Sequence, residues 1–279
     1  VDKVAQAREG KLDKVVGMDA EISRICGIMG RMNKANMIIT GDAGVGKTSL
    51  VNAFVQRIAD DAVPEFLLNA KVYELELSEL GGDAQYKGEV DDRFKGVLNE
   101  LAAVDNSILL IESIDKLFDK QGTLFGASVI LKAALAKGSI RLLCTSSVEG
   151  FTKNIETDKE MLSKLDRLNV EAPDDVLCLD ILRGSIAKYE EFHGVQVPDG
   201  TLPESIRLAR RYMTERSLPD SAFDLLDRAM VHVKGATDGR EKVLCADDIC
   251  YIISKQSGIP LGKVQTSERD CLLNAEDTL

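Results

Sequence analysis

The chain runs to 279 residues, 44% hydrophobic and 29% charged, the balance of a water-soluble protein with enough apolar surface for two packed units of unequal size. Lysine and arginine number 35 against 46 acidic residues, a formal charge of −11; so acidic a surface repels phosphate backbones and anionic lipid, which argues against nucleic-acid and membrane partners. No apolar run reaches the roughly 20 residues of a membrane span.

Apolar runs separated by helical patterns predict strands at Met37–Thr40, Lys71–Leu77, Ser107–Ile111 and Ile140–Thr145, with a fifth through Leu168–Val170. Between the first two, Leu50, Val51, Phe54, Val55 and Ile58 recur at helical spacing and mark a helix packed on a sheet. The expected fold class is therefore α/β, a mainly parallel sheet flanked by helices. After Pro173 only helical patterns remain, at about 174–190, 201–213, 219–233 and 246–257. In the third of these, Ser217 stands as a cap and Pro219 in the first turn. These patterns divide the chain into an α/β nucleotide-binding domain over 1–172, a small all-helical lid over 173–258 and a polar linker over 259–279.

Six cysteines (Cys26, Cys144, Cys178, Cys245, Cys250 and Cys271) form no CxxC pair, and only His193 and His232 could join them at a metal. We read them as reduced thiols of a cytoplasmic protein, with Cys245 and Cys250 half-buried in a helix and both histidines packed or at the surface. The first residue is Val1, not Met, so the sequence is expected to be a piece of a longer one.

The strand Met37–Thr40 runs into Gly41-Asp42-Ala43-Gly44-Val45-Gly46-Lys47-Thr48-Ser49 and then into the helix. That is GxxxxGK[ST] in its strand–loop–helix setting, the P-loop that binds ATP or ADP. Glycines let backbone N–H groups wrap the phosphates, the helix N-terminus adds its positive end, Lys47 reaches the β and γ phosphates, and Thr48 holds Mg²⁺.

With the P-loop placed, the chain from about Leu12 to Asp270 resembles the first ring domain of the Clp class of AAA+ unfoldases and disaggregases, relatives of ClpA, ClpB, ClpC and ClpV. Leu12-Asp13-Lys14-Val15-Val16-Gly17 is similar to the segment that covers the adenine in that class, and Ala84-Gln85-Tyr86-Lys87-Gly88-Glu89 to its first pore loop. Tyr212, Met213 and Leu218-Pro219-Asp220 resemble the start of its last lid helices, and Ile259-Pro260 its passage toward a second ring. The short run from lid to Ile259 implies that the long middle domain of ClpB is absent. The resemblance implies a hexameric ring with ATP between subunits, nucleotide contacts at Val16, Gly17, Ile181 and Pro219, and a loop in which Tyr86, Lys87 and Gly88 grip unfolded or aggregated protein. A peptidase or a contractile secretion sheath is a further partner the class allows.

The same resemblance exposes two departures. Where the class carries Asp-Glu after its third core strand (Walker B), this chain has Glu112-Ser113. Glu112 keeps a carboxylate for Mg²⁺, but the neutral hydroxyl of Ser113 cannot take a proton from water, and loss of a general base costs about 10²–10⁴ in rate. Where active members carry two arginine fingers, this chain has Ser163 and Lys164; a missing finger costs about 10³–10⁵. Sensor 1 falls on Ser146 or Ser147. The expectation is a nucleotide-occupied ring domain with weak or no hydrolysis. The alternatives are a working motor in which Asp115 serves as base and Lys164 as finger, and a P-loop switch that never forms a ring.

Overall fold

The structure, a computed structural model, describes residues 1–12, 15–81, 87–235 and 242–260. It divides into one unit of Val1–Asp42 with Gly46–Glu171 and a second of Ala43–Val45 with Ala172–Leu279. Among the described residues no helix is long and apolar enough to cross a membrane.

The first unit takes its elements in the order α1 (Lys3–Arg8), α2 (Asp19–Met29), β1 (Asn36–Thr40), α3 (Lys47–Ala59), β2 (Lys71–Glu74), α4 (Leu77–Gly81), α5 (Lys87–Ala102), β3 (Ser107–Ile111), α6 (Phe125–Lys137), β4 (Leu142–Ser146), α7 (Val148–Gly150), α8 (Lys159–Leu162) and β5 (Asp166–Asn169). The five strands form one parallel sheet in the order β2-β3-β4-β1-β5. Every residue of β1, β3 and β4 is buried, as expected of central parallel strands covered on both faces. Alternation along the strands divides them between two cores. Met37, Ile39, Ile108, Leu110 and Leu143 point toward α2 and α3, where Leu50, Phe54 and Ile58 meet them. Ile38, Leu109, Ile111, Leu142 and Cys144 point the other way, toward Val90, Phe94 and Leu98 of α5 and Leu131 of α6.

Several strand boundaries differ from the sequence expectation; β1 already starts one residue early, at Asn36, and β4 ends one residue late, at Ser146. β2 ends at Glu74, and Leu77 turns into α4 and is buried there. β4 begins at Leu142, two residues later than expected, after Arg141 has turned its side chain to the Ser107 carbonyl. β5 covers Asp166–Asn169 and buries only Leu168; as a polar edge strand it has no apolar run to announce it.

The second unit is helical: α9 (Asp175–His193), α10 (Leu202–Tyr212), α11 (Asp220–Gly235) and α12 (Ala246–Ser257). Asp174 caps α9 by accepting the Leu177 N–H at 2.8 Å. The helix runs three residues past the expected end, to His193, where Gly194 closes it at φ 66°. His193 is packed, with Nε2 2.7 Å from Asp227. α11 opens one residue after Pro219 rather than on it. Its stripe of Ala222, Leu225, Leu226, Ala229, Met230 and Val233 forms the core with Leu182, Ile206 and Ile253. Cys250 is buried in α12, whereas Cys245 precedes that helix and is exposed, which corrects its expected place inside it. Burial, with Asp175 nearby, pushes the Cys178 thiol up to about 11, and burial raises Cys144 further.

Phe54 lies wholly inside the first core, so Phe54→Ala should lower stability by about 3–5 kcal/mol; urea unfolding followed by circular dichroism measures it, and a loss below about 1 kcal/mol would contradict this packing. The N-cap of α8 sets a pH dependence. Burial pushes the Asp158 carboxyl up, but hydrogen bonds from Lys132 Nζ (2.9 Å) and the Met161 N–H, with the lysine's charge, hold it below its ordinary value. A depressed folded pKa stabilises above the unfolded value, about 3.9, and that contribution is lost as pH falls through the folded one. Lys132→Met should therefore shrink the difference in stability between pH 6 and pH 3; an unchanged difference would rule this pair out as its source.

Candidate functional site

All five strands point the same way, so their C-terminal ends share one edge of the sheet, where open parallel sheets place their ligands. β1 ends there at Thr40, opposite Ser146 of β4. The chain then enters the P-loop. Gly44 (φ 89°) and Gly46 (φ 98°) both adopt the left-handed region, which a side chain would strain. A β-carbon on Gly46 would also come within 3.1 Å of Met18 Cε. Val16 and Gly17, both exposed and the latter at φ 80°, immediately precede Met18, so their segment adjoins the loop.

Lys47 opens α3 and donates from Nζ to the carbonyls of Gly41 and Asp42, each at 2.8 Å. Burial lowers its pKa, while Asp42, Glu112 and Asp115 pull it back up; the two last therefore share the electrostatic field of the loop. Thr48 and Ser49 are exposed in the same first turn.

β3 delivers Glu112 and Ser113 to this edge, both half-buried. Ser113 adopts φ 52°, ψ 48°, left-handed for a residue with a β-carbon, and its N–H donates to Thr145 Oγ1 at 3.1 Å. Asp115 follows. Its Oδ1 accepts the Ser146 hydroxyl at 2.9 Å, and Asn154 Nδ2 donates to its carbonyl at 3.1 Å. The two serines considered for sensor 1 thus separate: Ser146 is buried against Asp115, whereas Ser147 caps α7 through the Gly150 N–H. Thr145, Met18 and Asn154 were not singled out in the sequence, although the polar run Thr145-Ser146-Ser147 ending an apolar strand was a usable signal for the first.

Lys164 does not join this group. Its carbonyl accepts from Asn36 Nδ2 at 3.2 Å, and Asp166, two residues on, pairs with Met37. It therefore sits at the N-terminal edge, with the length of a five-residue strand, roughly 15 Å, between it and the P-loop. Ser163 closes α8, its hydroxyl donating to the Glu160 carbonyl.

Tyr86 lies outside the described residues. Lys87 and Gly88 are not in a loop, as expected, but open α5, because the helical pattern Val90, Phe94, Leu98 already governs the turn before it. Ile181 is half-buried on α9 and Pro219 buried ahead of α11, both within the second unit.

Two families match the chain: the ATPase family associated with various cellular activities (AAA) over residues 37–137, and the AAA lid domain over 174–252. The chaperone protein ClpB of Porphyromonas gingivalis is 37% identical over 241 residues, 85% of this chain and 28% of that protein. The ATP-binding subunit ClpC of a Clp protease from Staphylococcus aureus is 29% identical, covering all of this chain and 41% of its own length. An Hsp104–ADP complex from Saccharomyces cerevisiae superposes with a TM-score of 0.91 at 35% identity, over 100% of this chain and 48% of that one. The chain thus spans less than half the length of each of these relatives.

Thr145→Val would leave the Ser113 N–H without its acceptor and should destabilise the first unit by about 1–3 kcal/mol, with Thr145→Ser near neutral. Equal stability of the valine and serine variants in chemical denaturation would dismiss that hydrogen bond as an anchor.

Proposed function

This chain belongs to the Clp-type AAA ATPases, carrying an AAA domain with its lid, and from that premise we propose that it holds ATP or ADP with Mg²⁺ and supports a ring of copies while hydrolysing slowly or not at all. The observation that carries the reading is the contrast at one edge of the sheet. The phosphate-holding set Gly41–Thr48 is complete, whereas Ser113 places a hydroxyl and no carboxylate after Glu112.

The residues present fit a magnesium nucleotide. The left-handed Gly44 and Gly46 bring backbone N–H groups close to where phosphates would lie, and the first turn of α3 adds its positive end. Lys47 would neutralise the β and γ oxygens, with Thr48 and Glu112 serving the metal. When bound, the nucleotide supplies the phosphoanhydride to be cleaved. Val16 and Gly17 would border its base; Ile181 and Pro219, which the resemblance also assigns to the nucleotide, belong to the second unit. Ser146 would stand as the polar group at the end of β4.

Lys164 supports the ring. At the opposite edge from its own P-loop, its ammonium can serve only a nucleotide held by another copy. It would do so as a point charge, without the planar fork by which arginine spans two phosphate oxygens. Nucleotide between copies would stabilise assembly by linkage, about 2.7 kcal/mol at a hundredfold excess over the dissociation constant. A structure of the related Hsp104 with casein supports an unfolded-protein substrate for the ring, gripped through Tyr86 with Lys87 and Gly88. A peptidase or a secretion sheath would be partners of the longer protein.

One observation favours the working motor. Asp115, held by the Ser146 hydroxyl and within the field of Lys47, is a carboxylate at the right edge to act as the missing base. Phosphate release with excess Mg-ATP, measured where light scattering detects a ring and alongside bound-nucleotide content, separates the two. The scaffold reading expects nucleotide retained and release no faster than for Lys47→Ala. Release abolished by Lys47→Ala, by Asp115→Asn and by dilution would replace it with the motor. Introducing Ser113→Glu with Lys164→Arg should raise release by about 10² or more.

A further inference from the structure

The N-terminal edge of the sheet, opposite this chain's own P-loop, holds a cleft of about 830 Å³, a volume in the ordinary range of small-molecule sites. Its lining includes Arg31, Lys34, Lys137, Arg141 and Lys164 against one acid, Asp105. That sign is opposite to the chain's net charge of −11. Arg31 is matched by Asp166 across 2.5 Å. Among the described residues, Lys34, Lys137, Arg141 and Lys164 make no ion pair with a carboxylate.

Arg141 is held in place by neutral groups. Its Nε donates to the Ser107 carbonyl at 3.1 Å and its Nη2 to the side-chain oxygen of Asn106, both neutral acceptors. These two bonds fix the plane of the guanidinium and leave its other N–H groups unassigned. Burial alone lowers its pKa, with no anion to oppose it. Taking a charge even partly out of water without an opposing charge costs free energy. Helix C-termini attract cations, which accounts for Lys137 in the last turn of α6. It does not account for Arg141, whose acceptors belong to β3 and the turn before it, nor for Lys34, which stands at φ 58° in the loop before β1, a conformation glycine or asparagine adopts more easily.

We propose that this cleft is a second anion site, built to take a small phosphate-bearing anion of more than one charge, with the Arg141 fork as its fixed donor and Lys34 and Lys137 beside it. Three cations with no carboxylate partner among the described residues suit a polyanion better than a single carboxylate, and the planar fork matches two phosphate oxygens. The lining has no aromatic ring on which a base would stack, so recognition rests on the phosphates. The site is independent of the P-loop, which occupies the other edge.

Pyrophosphate is the probe, titrated by calorimetry into the Lys47→Ala chain so that the P-loop is disabled. The expected result is saturable binding at one site. Lys34→Glu and Lys137→Glu, both exposed, should weaken it tenfold or more each while the chain keeps a single cooperative unfolding transition, Lys137→Glu at a small cost to the end of α6. Arg141→Lys, which keeps the charge and loses the fork, should weaken pyrophosphate about tenfold. Absence of saturable binding, or saturable binding that the lysine reversals or Arg141→Lys leave unchanged, would overturn the proposal.

Discussion

A parallel sheet covered on both faces leaves polar chemistry only two places to stand, the edge where its strands end and the edge where they begin. Burial of every residue of β1, β3 and β4 enforces this, since a charged side chain on either face would have to be desolvated without a partner. The ionic groups that crowd the ends of the strands follow from that exclusion. Lys47, Glu112 and Asp115 gather at one edge; Arg31, Arg141 and Lys164 gather at the other.

The two edges are not equivalent. Helices that follow strands begin at the C-terminal edge, and their first-turn N–H groups favour anions; helices that precede strands end at the N-terminal edge, and their carbonyls favour cations. The first edge is thus suited to receive phosphate through backbone, as Gly46 and the first turn of α3 do. The second must do so with side chains, and a fixed arginine there is informative because the dipoles already in place do not call for an anion.

The P-loop, the stripe of α3 and the three central strands were legible because each is written locally: a motif of eight residues, a 3.6-residue period, an unbroken apolar run. The helical lid was legible for the same reason. The C-terminal end of β2 and the start of β5 were not, because an edge strand such as Asp166–Asn169 buries one residue and is held by pairing with Met37 to Thr40 rather than by its own composition. Within the site, Glu112 and Ser113 could be read from their place after a strand, but the anchoring of Ser113 by Thr145 joins residues 32 apart. Lys164 could be read as a cation of interest, though its edge could not, since that depends on the register of β5 against β1. The cleft around Arg141 draws on four separate segments and has no sequence signature.

The buried thiols have a use beyond packing. Cys26 and Cys144 lie in the core of the first unit, Cys178 and Cys250 in that of the second, and none is in a disulfide. A thiol reagent can reach them only when the surrounding core opens, and their raised pKa values slow the reaction of any brief exposure. Each unit therefore carries its own internal clock. Exposed Cys245 marks the start of labelling, and the order in which the others follow ranks the breathing of the two cores without any foreign label.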